Sequence, residues 1–362
     1  MSKKSLRELV DDNLGKPTGT SLSDELHIRE LEEAPPAVGT GLYIYKQDDV
    51  ISAHKRESNQ TRKEILKELS KENNWKPFAL IRKTLVDELD NLAEQFATFS
   101  EVIELCKRNL QLFSLESPEV ISFPPLLLSG PPGVGKTRFM SELAKVFGTD
   151  FFSLDFSTLS SGFIVTGNSS SWSESKPGFI SESIRKSRYA NPIFMLDEID
   201  KVSADLRFDP LGAFYSLFES HTACQFKDEY LDIPMNLSGV LWVATANQPE
   251  RIPAPIRSRM IEIEIQPPSR AQSREIVKAI YRELLEANVW GKHFDKELDE
   301  SVINAFAALP PRLMKLELEK ALAHAASRTP SDSRPIYLLP DDVNMQDKQH
   351  KPAGIGFLAS LG

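Results

Sequence analysis

From Phe123 onward, short apolar runs alternate with segments in which apolar residues recur at helical spacing. The apolar runs are typical of buried strands, and they lie at residues 125–129, 151–156, 193–196, 240–244 and 261–265. Between the first two, residues 137–147 have a helical pattern, and Gly148 follows them, as glycine commonly does at a helix end. Strands that alternate with helices form a parallel sheet with covering helices, so the pattern predicts an α/β fold.

The segments on either side have other patterns. Residues 269–328 are wholly helical in character, with a break at Leu309-Pro310-Pro311, and a strand-like piece follows at residues 336–339. Residues 77–115 predict two amphipathic helices whose role is packing. Residues 1–75 are irregular: residues 42–45 predict one short strand, and the charge-rich residues 61–73 predict a solvated helix. We interpret residues 1–75 as a partly disordered extension, and a segment that binds an adaptor is the alternative.

Composition and charge narrow the class of protein. The 362 residues, 41% of them hydrophobic and 26% charged, are ordinary for globular domains and allow two or three of them. The net charge of −9 argues against non-specific binding of nucleic acid. The two cysteines, Cys106 and Cys224, form neither a disulfide framework nor a zinc motif. Because no apolar run approaches the roughly 18 residues of a membrane helix, we expect a cytoplasmic protein with no membrane partner.

Residues 130–137 read Gly-Pro-Pro-Gly-Val-Gly-Lys-Thr, between a predicted strand and a predicted helix. This is the P-loop pattern, in which glycines let backbone N–H groups surround phosphate and the helix N-terminus favours the same anion. Lys136 adds a positive charge for the β- and γ-phosphates, and the Thr137 hydroxyl is suited to Mg²⁺. The predicted nucleotide-binding residues are Gly130, Pro131, Pro132, Gly133, Val134, Gly135, Lys136, Thr137 and Arg138.

A second predicted strand ends in two adjacent carboxylates, Asp197 and Glu198. Asp197, at the strand end, can hold Mg²⁺ through water. Glu198, one residue further on, can orient or deprotonate an attacking water molecule. The two motifs together predict a site that binds and hydrolyses ATP with Mg²⁺.

With these motifs, the chain resembles the AAA+ ATPases from roughly Phe123 to Ala326, and within them the ATPase module of the Lon proteases. The stretches that carry the resemblance are residues 191–201, 230–234, 237–247 and 252–260. The resemblance implies a P-loop AAA+ parallel sheet flanked by helices and followed by a small helical lid. The predicted regions are then the N-terminal extension (1–75), a helical linker (76–118), the AAA+ α/β nucleotide-binding domain (119–268), the lid (269–335) and a C-terminal tail (336–362).

The resemblance also implies roles for single residues. Asn247 resembles the sensor-1 residue, which contacts the γ-phosphate or the water. Arg259 resembles the arginine finger, which reaches the nucleotide of a neighbouring subunit, and Arg257 is its nearby competitor. Arg312 resembles the sensor-2 arginine of the lid. A finger that acts between subunits requires a ring or a helical oligomer, and the resemblance implies a hexamer.

Trp172 lies where Lon-type ATPases carry an aromatic residue on a loop that faces the axial channel and grips polypeptide substrate. The serines around it depart from the family pattern, and a plain structural tryptophan is the alternative. Residues 336–362 are too few for a Lon protease domain, and the six histidines are scattered, so we do not expect proteolysis in this chain.

The function that we expect is ATP-driven remodelling or threading of a protein partner by a ring. A nucleic-acid motor or loader is the first alternative, because AAA+ rings also act on nucleic acid and the chain has basic stretches such as His54-Lys55-Arg56 and Lys107-Arg108. The second alternative is an ATP-dependent assembly switch that serves a separate effector.

Overall fold

The computed structural model describes residues 40–115, 119–159, 161–168, 175–202, 209–330 and 335–343. In chain order, the helices and strands are β1 (Gly41–Tyr43), α1 (Gln47–Arg56), α2 (Gln60–Leu69), β2 (Trp75–Pro77), α3 (Leu85–Gln95), α4 (Ser100–Phe113), β3 (Leu126–Ser129), α5 (Lys136–Phe147), β4 (Phe151–Asp155), α6 (Phe163–Thr166), α7 (Phe179–Lys186), β5 (Ile193–Asp197), α8 (Phe214–Leu217), α9 (Ser220–Ala223), β6 (Phe226–Lys227), β7 (Pro234–Met235), β8 (Leu241–Ala246), α10 (Ala254–Arg257), β9 (Ile261–Glu264), α11 (Arg270–Ala287), α12 (Glu300–Phe306) and α13 (Pro311–Arg328).

Five parallel strands form the central sheet, in the order β4-β5-β8-β3-β9. Each coincides closely with one of the five apolar runs, so the predicted α/β fold is confirmed. All residues of β3 and β8 are buried, as expected for strands covered by helices on both faces.

The alternation of side chains along each strand divides the core between the two faces of the sheet. Leu126 and Leu128 of β3 pack with α3, α4 and α5 on one face. Leu127 belongs to a second cluster on the opposite face, together with Phe194 of β5 and Trp242 of β8.

The described part of the N-terminal region packs on that second face. β1 and β2 form an antiparallel pair with α1 and α2 between them. Val50 of α1 and Leu66 and Leu69 of α2 are fully buried in the second cluster. The helix expected at residues 61–73 therefore has a buried side as well as a solvated one.

Asn191, just before β5, forms hydrogen bonds with the backbone on both sides of α3 and α4. Its side-chain oxygen accepts the N–H of Ala79 at 2.7 Å, and its Nδ2 donates to the carbonyl oxygens of Ala79 and Ile121 at 3.0 and 2.9 Å. Because Asn191 is fully buried, these bonds satisfy backbone groups that water does not reach.

Three helices, α11, α12 and α13, form a separate bundle with its own buried cluster, which includes Val277, Phe306 and Leu318. Residues 336–339, expected to be strand-like, contribute a single bridge between Ile336 and Phe294. No helix within the described residues is both long enough and apolar enough to cross a lipid bilayer.

Candidate active site

Three neighbouring strands, β5, β8 and β3, carry predicted site residues where they end. Asp197 is the last residue of β5, Asn247 follows β8, and Gly130 follows β3. Ser129 is paired with Ala246, so the ends of β3 and β8 are level. Ligands of parallel α/β sheets bind at this carboxyl edge, and the predicted residues converge there.

The loop between β3 and α5 turns sharply away from the sheet. Gly130 has a φ of +139°, and a Cβ atom at this position would lie 2.4 Å from the carbonyl oxygen of Ile265. Only glycine can therefore occupy the position without moving the backbone of the segment after β9. Gly135 has a φ of +97° and directly precedes the first residue of α5.

Lys136 is folded back over the loop and is only 8% exposed. Its Nζ donates to the carbonyl oxygens of Gly130 and Pro131 at 2.7 and 3.2 Å, and to Asn247 Oδ1 at 3.3 Å. Burial lowers the pKa of Lys136, and the negative charges of Asp197, Asp200 and Glu198 oppose that shift. The ammonium group thus lies between the P-loop and the ends of β5 and β8.

Asp197 connects the P-loop helix to the sheet. Thr137 Oγ1 donates to one carboxylate oxygen of Asp197 at 2.8 Å, and Thr245 Oγ1 donates to the other oxygen through a short hydrogen bond. Asp197 and Thr137 therefore present a carboxylate and a hydroxyl side by side, which are oxygen ligands of the kind that Mg²⁺ prefers.

Glu198 has a left-handed backbone, with φ 54° and ψ 46°. This conformation is unfavourable for a residue other than glycine by about 1–2 kcal/mol, and such residues cluster at functional sites. The Glu198 N–H donates to Thr245 Oγ1 at 2.9 Å, and its Oε1 accepts from Asn247 Nδ2 at 3.2 Å. The carboxylate is thereby directed towards the end of β8.

A buried carboxylate, Asp200, holds the turn in which Asn247 lies. Its two oxygens accept the N–H groups of Asn247 and Gln248 at 3.3 and 3.1 Å. The amide side chain of Asn247 is then free to contact both Lys136 and Glu198.

Arg312 approaches the P-loop from the helical bundle. It lies in the first turn of α13, and a Cβ atom on Gly133 would be 3.2 Å from Arg312 Cβ. The structure therefore brings Arg312 to the same loop as Lys136.

Arg259 and Arg257 have contacts elsewhere. Arg259 Nε donates to Glu219 Oε1 at 2.6 Å, and Arg257 Nε donates to Glu262 Oε2 at 2.7 Å. Within the described part of the chain, neither arginine forms a hydrogen bond or an ion pair with the P-loop.

Two other predicted residues stand apart from the converging set. The Arg138 side chain forms an ion pair with Glu283 of α11, and its guanidinium lies 5.8 Å from the centre of the Phe96 ring. Trp172, the predicted pore residue, lies outside the residues that the structure describes.

A sequence profile described as "AAA: ATPase family associated with various cellular activities (AAA)" matches residues 126–268. Residues 126–268 are therefore similar to the AAA ATPase domain. The match begins with β3 and covers every strand of the central sheet together with the site described above.

Curated relatives place this AAA domain among Lon-type sequences. The chain is 35% identical over 202 residues to Lon protease 2 of Myxococcus xanthus, across 55% of this chain and 24% of that protein. It is 29% identical over 283 residues to the Lon protease of Nitrosococcus oceani, across 76% of this chain and 36% of that protein. The chain therefore spans between about a quarter and about a third of the length of these two relatives.

Solved structures support the fold of the AAA domain. The S. cerevisiae Hsp104–ADP complex superposes with a TM-score of 0.56 at 15% sequence identity, over 69% of this chain and 40% of that chain. At this identity the similarity is one of fold.

The residues of the AAA domain fit a nucleoside triphosphate with Mg²⁺. The positive φ values of Gly130, Gly133 and Gly135 shape a phosphate-binding turn, and the buried ammonium of Lys136 adjoins it. Thr137 and Asp197 would hold the metal, and few protein ligands are needed because Mg²⁺ keeps water and substrate phosphates in its coordination shell.

Two residues of this site, Thr245 and Asp200, were not predicted from the sequence. Thr245 is a polar residue inside the fully buried strand β8, and it lies two positions before Asn247, which follows that strand. Asp200 is a buried carboxylate three positions after Asp197. A polar side chain within an apolar run was the available signal for Thr245, because buried polar groups need partners.

Proposed function

We propose that the chain is an ATPase that hydrolyses ATP to ADP and phosphate with Mg²⁺. The observation that carries this proposal is Asp197, whose two oxygens accept from Thr137 at the P-loop and from Thr245 of β8. One carboxylate thus couples the predicted phosphate-binding loop to the strand end that presents Glu198 and Asn247.

The P-loop N–H groups and Lys136 would bind the β- and γ-phosphates, since both supply positive charge in a partly dry site. Thr137 and Asp197 would hold Mg²⁺, which supplies charge neutralisation on the phosphate oxygens. Lys136 would give up its contacts with the Gly130 and Pro131 carbonyl oxygens for phosphate oxygens, which are stronger acceptors.

Glu198 would orient the attacking water and accept its proton. The left-handed backbone and the bond from the Glu198 N–H to Thr245 set the direction of the side chain. Asn247 Nδ2, at 3.2 Å from Glu198 Oε1, would hold the carboxylate in the free enzyme and contact the water or the γ-phosphate when nucleotide is bound.

Arg259 would act between subunits as the arginine finger, and Arg312 would contact the nucleotide from the lid. A finger that reaches a neighbouring nucleotide makes a heterologous contact, which closes into a ring or continues as a helix. We propose a ring, and a hexamer as its form, on the similarity to Lon-type ATPase regions.

The work that we propose for this ring is the remodelling or threading of a protein partner. The similarity of the chain to Lon proteases supports a polypeptide substrate. A nucleic-acid motor and an assembly switch are the competing outcomes of the test below.

The test is steady-state ATP hydrolysis by the wild-type chain, with and without an unfolded protein and with and without DNA. Glu198→Gln provides the background rate. Stimulation by unfolded protein supports remodelling, and stimulation by DNA alone would replace it with the nucleic-acid function. A rate of hydrolysis that neither unfolded protein nor DNA changes would favour the assembly switch. A wild-type rate equal to that of Glu198→Gln would contradict the ATPase proposal.

A further inference from the structure

The guanidinium of Arg259 is held by two acceptors within its own subunit. Its Nε donates to Glu219 Oε1 at 2.6 Å, and its Nη1 donates to the carbonyl oxygen of Pro255 at 2.5 Å. The Arg259 side chain is 29% exposed and that of Glu219 is 33% exposed, so the pair lies at the surface. Glu219 thus holds the inner nitrogen of the guanidinium, and Pro255 holds one of its two terminal nitrogens.

The backbone on each side of this ion pair is anchored in the core. Glu219 directly follows Phe218, and Arg259 directly precedes Met260, and both of these apolar residues are buried in the same cluster. The carboxylate and the arginine are therefore presented from two segments whose separation is set by packing.

The arrangement leaves the outer end of the guanidinium available. Within the described residues, Arg259 Nη2 donates no hydrogen bond to a protein acceptor. An arginine carries five N–H donors in a planar fork, and Nη1 and Nη2 can still engage a phosphate oxygen while Nε remains on Glu219. The contact with Glu219 therefore orients the guanidinium and leaves the N–H groups of Nη2 available as donors.

Arg257 has a carboxylate partner of its own. Its Nε donates to Glu262 Oε2 at 2.7 Å, and its Nη2 lies 2.6 Å from the same oxygen in an ion pair. Two guanidinium nitrogens are therefore engaged in Arg257, as in Arg259, and the Arg257–Glu262 pair is a comparable ion pair.

A histidine also faces the carboxylate of Glu219. His221 Nε2 lies 3.4 Å from Glu219 Oε2, the oxygen that Arg259 Nε does not use. An exposed ion pair contributes only about 0–1 kcal/mol to folding, so Glu219 has little importance for stability. The orientation of Arg259 matters more for the rate of ATP hydrolysis, since a displacement of about 1 Å in a group that contacts the reacting atoms can lower the rate about 100-fold.

We propose that Glu219 is a positioning residue for the arginine finger: it aims Arg259 at the nucleotide of the neighbouring subunit. The inference rests on the proposed role of Arg259 between subunits. It adds a residue that acts in the subunit that donates the finger and has no role in the subunit that hydrolyses ATP.

The test mixes two inactive chains. Lys136→Ala lacks a working P-loop but can donate a finger, and Arg259→Ala lacks the finger but keeps its ATP site. Mixed oligomers contain interfaces at which the donor completes the acceptor, so ATP hydrolysis recovers. Glu219→Gln is then added to the donor or, in a parallel mixture, to the acceptor, and Glu262→Gln in the donor is the matched control.

We expect Glu219→Gln in the donor to lower the recovered turnover at least about tenfold, with the KM for ATP unchanged. In the acceptor, whose own finger is already absent, the substitution leaves the recovered rate as it was, and so does Glu262→Gln in the donor. Loss in both mixtures would make Glu219 a structural residue, and loss in neither would remove its role; either result overturns the inference.

The parent mixture tests the proposed function separately. If Lys136→Ala and Arg259→Ala do not complement each other, the finger does not act between subunits, and the role of Glu219 falls with it. If they complement each other and Glu219→Gln in the donor has no effect, the finger stands and only the positioning role fails.

Discussion

Thr245 Oγ1 accepts a hydrogen bond from the backbone N–H of Glu198 at 2.9 Å. The same hydroxyl donates to the carboxylate of Asp197. One side chain of β8 thus sets the positions of both carboxylates at the end of β5, the proposed metal ligand and the proposed base.

Replacing Thr245 by valine removes this hydroxyl at nearly constant volume. We expect kcat for ATP hydrolysis to fall about tenfold, because the Glu198 N–H and one oxygen of Asp197 lose their partner. Thr149→Val is the matched control, since the Thr149 hydroxyl is buried and donates to the carbonyl oxygen of Asn191 at 3.0 Å. Both variants should unfold at lower temperature, but an equal loss of kcat in the control would contradict the role of Thr245.

We expect the binding of ATP to require Lys136, and its hydrolysis, but not its binding, to require Glu198. Lys136→Ala removes the buried ammonium group, so we expect no measurable ATP binding by calorimetry. Glu198→Gln keeps the phosphate site, so it should bind ATP and hydrolyse it at least about 100-fold more slowly, since orienting the water contributes only in the transition state. Normal turnover by Glu198→Gln would show that another residue is the base.

Asn191 should be important for stability and not for chemistry. Asn191→Leu leaves the N–H of Ala79 and the carbonyl oxygens of Ala79 and Ile121 without their partner in a buried position. We expect the free energy of unfolding, measured with urea, to fall by about 3 kcal/mol. Asn109→Ala, which removes one bond to Leu105 within α4, is the control and should cost less than about 1 kcal/mol.

Asp342 makes the stability of the helical bundle depend on pH. Burial opposes the charge of Asp342, but hydrogen bonds from Arg328, the Leu339 N–H and His324 outweigh it and lower the pKa from 3.8 to about 2. A carboxyl whose pKa is lowered on folding stabilises the folded state above its unfolded pKa and loses this contribution as the pH falls through its folded pKa.

The variant Asp342→Asn should therefore be less stable than the wild type at pH 7 by about 1–3 kcal/mol. We expect the difference to shrink as the pH is lowered from 3.8 towards 2, in thermal unfolding followed by circular dichroism. A difference that stays constant over this interval would mean that the charge of Asp342 is not what holds residues 335–343 to α13.

Local signals in the sequence account for the positions of the strands and for the set of residues that the structure brings together. The P-loop pattern places its glycines, lysine and threonine within one turn, and the structure brings Lys136, Thr137, Asp197, Glu198 and Asn247 together. The apolar runs located all five strands, because burial on both faces of a sheet requires continuous apolar sequence.

The predictions were incomplete where the signal is not local. Thr245 and Asp200 act through residues nearly 50 positions away, so no spacing rule points to them. The acceptors of Arg257 and Arg259, Glu262 and Glu219, were likewise not predicted, and Glu219 lies 40 residues from Arg259.

By itself, the sequence determined the α/β class, the strand positions and the two motifs of the candidate site, since these follow from periodicity and local spacing. Only the tertiary structure decided that β8 lies between β5 and β3. That order places Thr245 against Asp197 and Asn247 between Lys136 and Glu198. The order of the strands results from packing between segments that are distant in sequence. The hydrogen-bond partner of a buried polar side chain is fixed only by that packing.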